Sequence, residues 1–459
     1  MYSTHRKGGK KMTRKITALL LAFVLVLSLV ACGSGASSSA APAASGSSPT
    51  ASGGGSAPTD GSIALTVSMP LGQWTDNFDT LIESYMAEHP EIASIDATFP
   101  SSDKYNDLLK SALSAGELPD IISVSYGILN QDWFQYCVDL STDCPAYDLL
   151  TDEQKALGTT DQGMTIMPIY VEGTGILYNM DLLAQAGWDH TPQTRDELAQ
   201  LCADLKAAGI TPFMHQWAET YLNLFNWVGT TWLGNKDDQL DFLNKMLAGE
   251  DMDLVNDPEW NDFMDTYEIL IEYAQEGAIA TDKWTCRNAF FLEECAMLVG
   301  EGSWETPNIE STNPDLLDHV KQDVLPCSND AGTNNLQKQT ITASVTDSGD
   351  PVRVAAAKDF LSYIVSSEAA RIWHQETMGS PTAIVSLELS ENLPAIAADV
   401  VSLMKDDRAA ESMYSYMPAV IQTDLQKIWA QFVGQEITRD EFTQQYQQIF
   451  KDFAGGKYN

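Results

Sequence analysis

Basic residues are scarce in this chain: 26 Lys and Arg stand against 64 Asp and Glu, for a formal net charge of −38. A surface of that sign repels phosphate backbones, which excludes nucleic acid as a partner. Histidine is rarer still, with six scattered singly along the chain, so that His215 and His374 read as surface or core residues. No metal-spaced histidines, phosphate loop or Ser/His/Asp order is present, and neither a metal nor another cofactor is expected. None of the seven cysteines sits in a C-x-x-C pair, which removes the usual zinc and redox patterns. Cys137 with Cys144, or Cys286 with Cys295, could form disulfides in an oxidising compartment. Together with Cys202 and Cys327 they could equally be buried thiols. After residue 31 no stretch is long and apolar enough to cross a bilayer, and no internal repeat is visible.

What is present begins with a signal-peptide layout over residues 1–31. Arg6, Lys7, Lys10, Lys11, Arg14 and Lys15 precede an apolar run from Ile16 to Val30, shorter than the roughly 20 residues a membrane span needs. The run ends in Leu29-Val30-Ala31-Cys32-Gly33, which resembles the lipobox of bacterial lipoproteins. That resemblance implies that Cys32 is lipidated, becomes the mature N-terminus and anchors the protein to the outer side of a cell membrane. From Cys32 to about residue 60 the chain is almost wholly Ser, Gly, Ala, Pro and Thr. Nothing there can be buried, so a disordered tether with a reach on the order of 30 Å is expected.

The remaining length suits two domains of roughly 150 to 200 residues. Ile63, Leu65, Val67 and Met69 alternate as a strand does, and Phe78, Leu81, Ile82, Tyr85 and Met86 recur at helical spacing until His89-Pro90. A strand near Ile95–Phe99, a helix with Tyr105, Leu108, Leu109, Ala112 and Leu113 ending near Gly116, and a strand Ile121–Val124 complete β-α-β-α-β. Such alternation predicts an α/β fold with a mostly parallel sheet between helices. Ligands of such sheets sit beyond the carboxyl ends of strands, which makes Trp74 and Tyr126, together with Gln73 and Ser125, candidates for a site. A second α/β region opens near Glu172. Thr194 and Glu197 are spaced as a capping box with Gly209 closing the helix, Asp350-Pro351 opens a long helix reaching Trp373, and Thr438 and Glu441 cap the last one.

Several segments, in order, resemble the family of bacterial extracellular solute-binding proteins (family 1) whose best-known member binds maltose and maltodextrins. Phe78–Ile95 resembles its first helix and second strand, and Leu118-Pro119-Asp120-Ile121-Ile122 its third strand. Pro168–Leu183, with Tyr178-Asn179-Met180-Asp181-Leu182 inside it, resembles the hinge crossing. Ala186–Pro212, Ala296–Trp304 and Phe360–Thr382 follow in the family's order, so that the likeness spans nearly all of residues 61–459. The resemblance implies a two-lobed periplasmic-binding-protein-like fold, each lobe a sheet flanked by helices and the two joined by hinge crossings. Lobe one would be residues 61–168 plus 337–380, and lobe two 172–328 plus 383–459. It also implies a monomer that closes on its ligand and delivers it to the permease subunits of an ATP-binding-cassette (ABC) transporter, without enzymatic turnover.

A sugar presents apolar C–H faces and many hydroxyls, so its site needs flat aromatic rings and carboxylate or amide acceptors. By the resemblance, Trp304 after Gly302-Ser303 is a stacking tryptophan and Glu172 a carboxylate that bonds hydroxyls. Glu219 and Tyr221 resemble a Glu-x-Tyr pair of the family, with Thr220 where the maltose-binding member has proline. Tyr126 follows the third strand where the family places an aromatic. Trp74, Trp217 and Trp232 complete the set, with at least one tryptophan of the stretch 217–232 expected in the core. Met413–Met417 stands where the maltose-binding member has a further stacking tryptophan, which points away from maltose itself. A peptide, a polyamine or another polar solute is the competing ligand, and a glycosidase using Glu172 and Glu219 as acid and base is the competing chemistry.

Overall fold

The computed structural model describes residues 61–70, 77–127, 130–220, 239–384, 387–412 and 416–458. The first strand, β1 (Ile63–Ser68), leads through α1 (Phe78–Glu88) to β2 (Ile92–Thr98), and α2 (Ser102–Ala115) leads to β3 (Ile121–Ile122). Both β2 and β3 pair with β1 in parallel. Gly116 closes α2 in the left-handed region at φ 73°, a conformation that costs glycine nothing. This opening β-α-β-α-β is the one expected, with the second strand beginning earlier, at Ile92.

The central element is β4 (Met167–Asn179), a strand of 13 residues buried along its length except at Glu172. Its first half pairs antiparallel with β7 (Leu336–Val345). Its second half pairs antiparallel with β5 (Met297–Glu301) and β6 (Val320–Asp323). The sheet order is β2-β1-β3-β7-β4-β5, with β6 also on β4 and β8 (Ala409–Glu411) beside β7. The mostly parallel sheet expected therefore holds for β1–β3 and for the β7–β8 pair, while β7 meets β3 and β4 antiparallel, as β5 and β6 meet β4. One continuous strand serving two ladders meets its returning partners head-to-tail, and those ladders are antiparallel.

The two largest cores lie either side of this crossing. One gathers Leu65, Val67, Phe78, Tyr85, Ile169, Tyr170, Phe360, Leu361 and Trp373. The other gathers Ile176, Tyr178, Leu201, Phe213, Trp260, Phe263, Trp429, Phe442 and Tyr446. The architecture is a two-lobed α/β fold, each lobe a sheet edge packed under helices. β4 and β7 run through the waist, and Ser380–Ala383 lies beside the first half of β4: Pro381 O accepts from Val171 N at 2.9 Å and Ala383 N donates to Ile169 O at 3.0 Å.

Local signals hold with two corrections. Thr438 and Glu441 form the complete capping box of the last helix (Arg439–Ala454). At Arg195–Ala207, Thr194 caps Glu197 N, but the Glu197 carboxylate reaches one residue further back, to Gln193 N at 2.7 Å. The helix expected to run from Pro351 to Trp373 stops at Ser366. Ser367 turns extended and caps a new helix, Glu368–Ile372, by accepting from Ala370 N at 3.0 Å. Cys137, Cys144, Cys202, Cys286, Cys295 and Cys327 are all free, buried thiols. Among the described residues no helix is long and apolar enough to cross a membrane. Cys32 and the expected tether lie outside the described residues.

Candidate functional site

Strand β5 is an apolar run, Met297-Leu298-Val299-Gly300, that ends on a charge, Glu301. That carboxylate is 1 % exposed. Burying an ionised carboxylate is prohibitive without partners, and Glu301 has several. Arg287, on the helix Lys283–Phe291, donates Nε to Oε1 at 3.0 Å and a second guanidinium nitrogen to Oε2 at 2.9 Å. Gln216 Nε2 donates to Oε1 at 2.8 Å, and Trp304 Nε1 donates to Oε2 at 3.0 Å. Asp282 fixes the start of the Arg287 helix by accepting from Trp284 N and Thr285 N at 2.9 and 3.1 Å. Residues three apart share a helix face, and the Trp284 ring lies 5.1 Å from the Arg287 guanidinium carbon.

After β5 the chain turns through Gly302 into a 3-10 turn, Ser303–Glu305, which presents Trp304 half-buried between two buried neighbours. Gly302 is required by close approach. A Cβ there would stand 2.3 Å from Gly173 O and 2.5 Å from Trp304 Cζ3, so the indole lies against the bare backbone of Gly302 while β4 backs it. A second glycine allows another close approach: Gly379, at φ +66°, would put a Cβ 2.9 Å from Ser303 O.

Glu172 is one residue from Gly173 on β4 and is the partly open position of that strand. Burial chiefly, and the Glu301 charge in addition, hold its carboxyl up at about 7, against the hydroxyl that Tyr170 donates to Oε1 at 3.3 Å. Glu305, fully buried, is likewise pushed well above the ordinary carboxylate range by burial first and by Glu301 next. Arg287, at 3.1 Å, and Asn308 Nδ2, at 3.0 Å, oppose that shift. The result is a half-buried indole with its N–H engaged on Glu301, and a partly open carboxyl on β4 that titrates near neutrality and feels the same Glu301 charge. Such a surface can stack a flat apolar face and exchange hydrogen bonds with hydroxyls. Among the described residues no cluster of His, Cys, Asp or Glu is arranged to hold a metal ion.

The family model of bacterial extracellular solute-binding proteins matches residues 80–400, more than half of the chain. The chain belongs to that family. Solved structures agree on the fold. The solute-binding protein RafE in complex with raffinose superposes with a TM-score of 0.71 at 19 % identity, covering 85 % of this chain and 100 % of that one. A chitin oligosaccharide binding protein gives 0.69 at 18 %, covering 85 % and 99 %. Maltose-bound MalE3 of T. maritima gives 0.68 at 17 %, covering 86 % and 98 %. No curated protein matches the sequence.

In this solute-binding protein the other candidates fall in different places. Tyr126 is 4 % exposed. Its phenol is held above the usual range by burial, then by Glu411 and Tyr416. Glu411 pairs with Lys338 at 3.4 Å, and Lys338 is the register partner of Gly173. Tyr126 thus belongs to a polar group of Glu411, Tyr416 and Lys338 beside β4. Trp217 is a core residue, 4 % exposed, stacked on His215 at 4.6 Å and edge-on to Trp429 at 6.3 Å. Its neighbour Gln216 reaches Glu301 instead. Glu219 is partly buried, with its N–H on Gln216 O at 3.0 Å. Trp74, Tyr221 and Trp232 lie outside the described residues.

Sequence reasoning missed Gln216, Arg287, Glu301 and Glu305. One signal was available for Glu301, since a carboxylate closing an apolar strand has to be paired. Nothing local marks Arg287 or Gln216, whose roles arise from tertiary placement.

Proposed function

We propose that this protein is an extracytoplasmic lipoprotein, anchored through Cys32, that binds an oligosaccharide between lobe one (61–168 plus 337–380) and lobe two (172–328 plus 383–459) and delivers it to an ABC transporter. The observation that carries the reading is that Trp304, held on Glu301, follows Gly302 where that residue abuts Gly173, next in the chain to Glu172, whose carboxyl also feels the Glu301 charge. A half-buried indole whose N–H is already engaged, with a partly open carboxyl on the neighbouring strand, matches the C–H faces and hydroxyls of a pyranose. Raffinose, chitin oligosaccharide and maltose in the names of proteins of like fold support the same ligand class. The acidity of the chain supports a neutral ligand held by hydrogen bonds over an anionic one. The Ser, Gly, Ala, Pro and Thr composition of residues 33–60 supports a spacer between such an anchor and the lobes.

The test is a thermal-shift screen of the domain from residue 61 onward against oligosaccharides, peptides and polyamines. A ligand at a hundred times its Kd adds about 2.7 kcal/mol to stability, a rise of several degrees for lobes of this size. Stabilisation by an oligosaccharide, lost in Trp304→Ala, is the expected result. A shift with peptides or polyamines alone, or a sugar shift that Trp304→Ala leaves intact, overturns the reading.

A further inference from the structure

Glu301 is 1 % exposed and Arg287, which grips it, 13 % exposed, and Glu301 in turn accepts from the N–H of the half-buried Trp304 ring. We propose that Glu301, neutralised by Arg287 under the Trp284 ring, is the positioning residue of the oligosaccharide site: it fixes the Trp304 indole in one orientation and occupies its N–H, so that the ligand meets the ring face alone. The inference rests on the oligosaccharide reading above.

Three features carry it. The indole is held at both ends, by its Nε1 on Glu301 Oε2 at 3.0 Å and by its six-membered edge over Gly302, where a Cβ would come within 2.5 Å. Releasing the N–H from Glu301 removes a charge-assisted bond from a carboxylate that water cannot reach, the kind of bond that is expensive to leave unmade. The carboxylate in turn cannot swing toward another donor, because the guanidinium grips both of its oxygens, Gln216 adds a third bond, and Arg287 is itself held by Glu305 at 3.1 Å and lies under Trp284 at 5.1 Å. A ring fixed before the ligand arrives loses little rotamer freedom on binding. With its donor engaged, the subsite discriminates by the shape and apolarity of a sugar face and offers no hydrogen bond from the indole. Glu301 therefore acts through Trp304, and Arg287 acts through Glu301.

The experiment uses the domain from residue 61 with Glu301→Leu, Glu301→Gln and Arg287→Lys, each also in a Trp304→Phe background. Raffinose, maltotriose and chitotriose serve as probes. The Trp304 contribution to emission and to acrylamide quenching is read as the difference from Trp304→Phe, and affinity comes from calorimetry. Glu301→Leu is expected to shift that emission to the red, raise its quenching and weaken the binding sugar about tenfold or more, the worth of one charge-assisted bond. Glu301→Gln, which keeps a carbonyl acceptor for the indole, recovers most of both. Arg287→Lys, which keeps the charge and loses the fork, falls between. In the Trp304→Phe background the affinity losses shrink, because the pair is coupled. An unchanged Trp304 signal, or an affinity loss of equal size with and without Trp304, overturns the proposal. If Glu301→Leu does not fold, Arg287→Lys decides on the same two readouts. If the parent protein binds none of the sugars, the oligosaccharide reading fails, while the Trp304 emission of the free variants still decides whether Glu301 positions the ring.

Discussion

Glu172 and Glu301 lie on two neighbouring strands, Glu172 three residues before Gly175, the register partner of Glu301, and the charge of Glu301 adds to burial in lifting the Glu172 carboxyl from 4.5 to about 7. A carboxyl raised in the folded state keeps a proton that the unfolded chain releases. Its contribution to stability is therefore fully present below about 4.5 and is lost as pH rises to about 7. Glu172→Gln cannot titrate. Chemical denaturation across that window should show a flatter pH dependence in the variant than in the parent, and equal slopes would remove Glu172 as the group responsible. Because the same carboxyl is the proposed partner of sugar hydroxyls, the affinity of the parent should also change with pH near neutrality, and that of the variant should not.

Gly302→Ala tests the seat of the indole. The added methyl would collide with Gly173 O at 2.3 Å, a backbone atom on the central strand, and with the ring of Trp304 at 2.5 Å. Overpacking of this kind typically costs 1–3 kcal/mol. The expected outcome is a lower melting temperature and a clear loss of ligand affinity, read by calorimetry on the folded variant. Wild-type affinity in Gly302→Ala would mean that the ring can move aside at no cost to the site.

Short-range devices were legible in the residues themselves: the Thr438–Glu441 box, the left-handed glycine after α2, and the strand–helix alternation of the first lobe. Each is a local balance of hydrogen bonds and dihedral cost, which a window of a few residues contains. The opposite case is β4. Its uniform burial hides the period-two signal, and its role as a member of two ladders depends on β5, β6 and β7, strands more than 100 residues away in sequence. The site divides the same way. Trp304 and Glu172 were found by resemblance, whereas Arg287 and Gln216 carry no local mark and reach Glu301 only because the second lobe folds around it. Trp217 was a reasonable candidate on composition. It went to the core because an indole between His215 and Trp429 buries more apolar area there than it could in an open cleft.

Thr438→Ala offers a measure of stability far from the proposed ligand. The Thr438 hydroxyl accepts from Glu441 N at 3.3 Å, while Glu441 Oε2 accepts from Thr438 N at 2.8 Å. The helix so begun places Phe442, Tyr446 and Phe450 in the second lobe's core. Loss of the cap should cost about 1 kcal/mol, seen as a lower denaturation midpoint with an unchanged slope. Ligand affinity should be that of the parent, and a matching fall in affinity would show that this helix is coupled to the site.

Trp217 and Trp304 are separable by experiment because one is packed and the other presented. Removing a core tryptophan leaves a cavity and typically costs 3–5 kcal/mol. Trp217→Ala should therefore lower stability severely, with Trp217→Phe milder because a ring still meets His215 and Trp429. In the fraction that remains folded, the affinity of either variant should be close to that of the parent. Trp304→Ala reverses the pattern. A half-open ring contributes less to the core, so stability should fall modestly while ligand binding is lost. Denaturation midpoints and calorimetric affinities for the same four proteins give the comparison directly. If Trp217→Phe abolished binding at parental stability, the ligand would have to reach the second lobe's interior, and the site built on Trp304 would be misplaced.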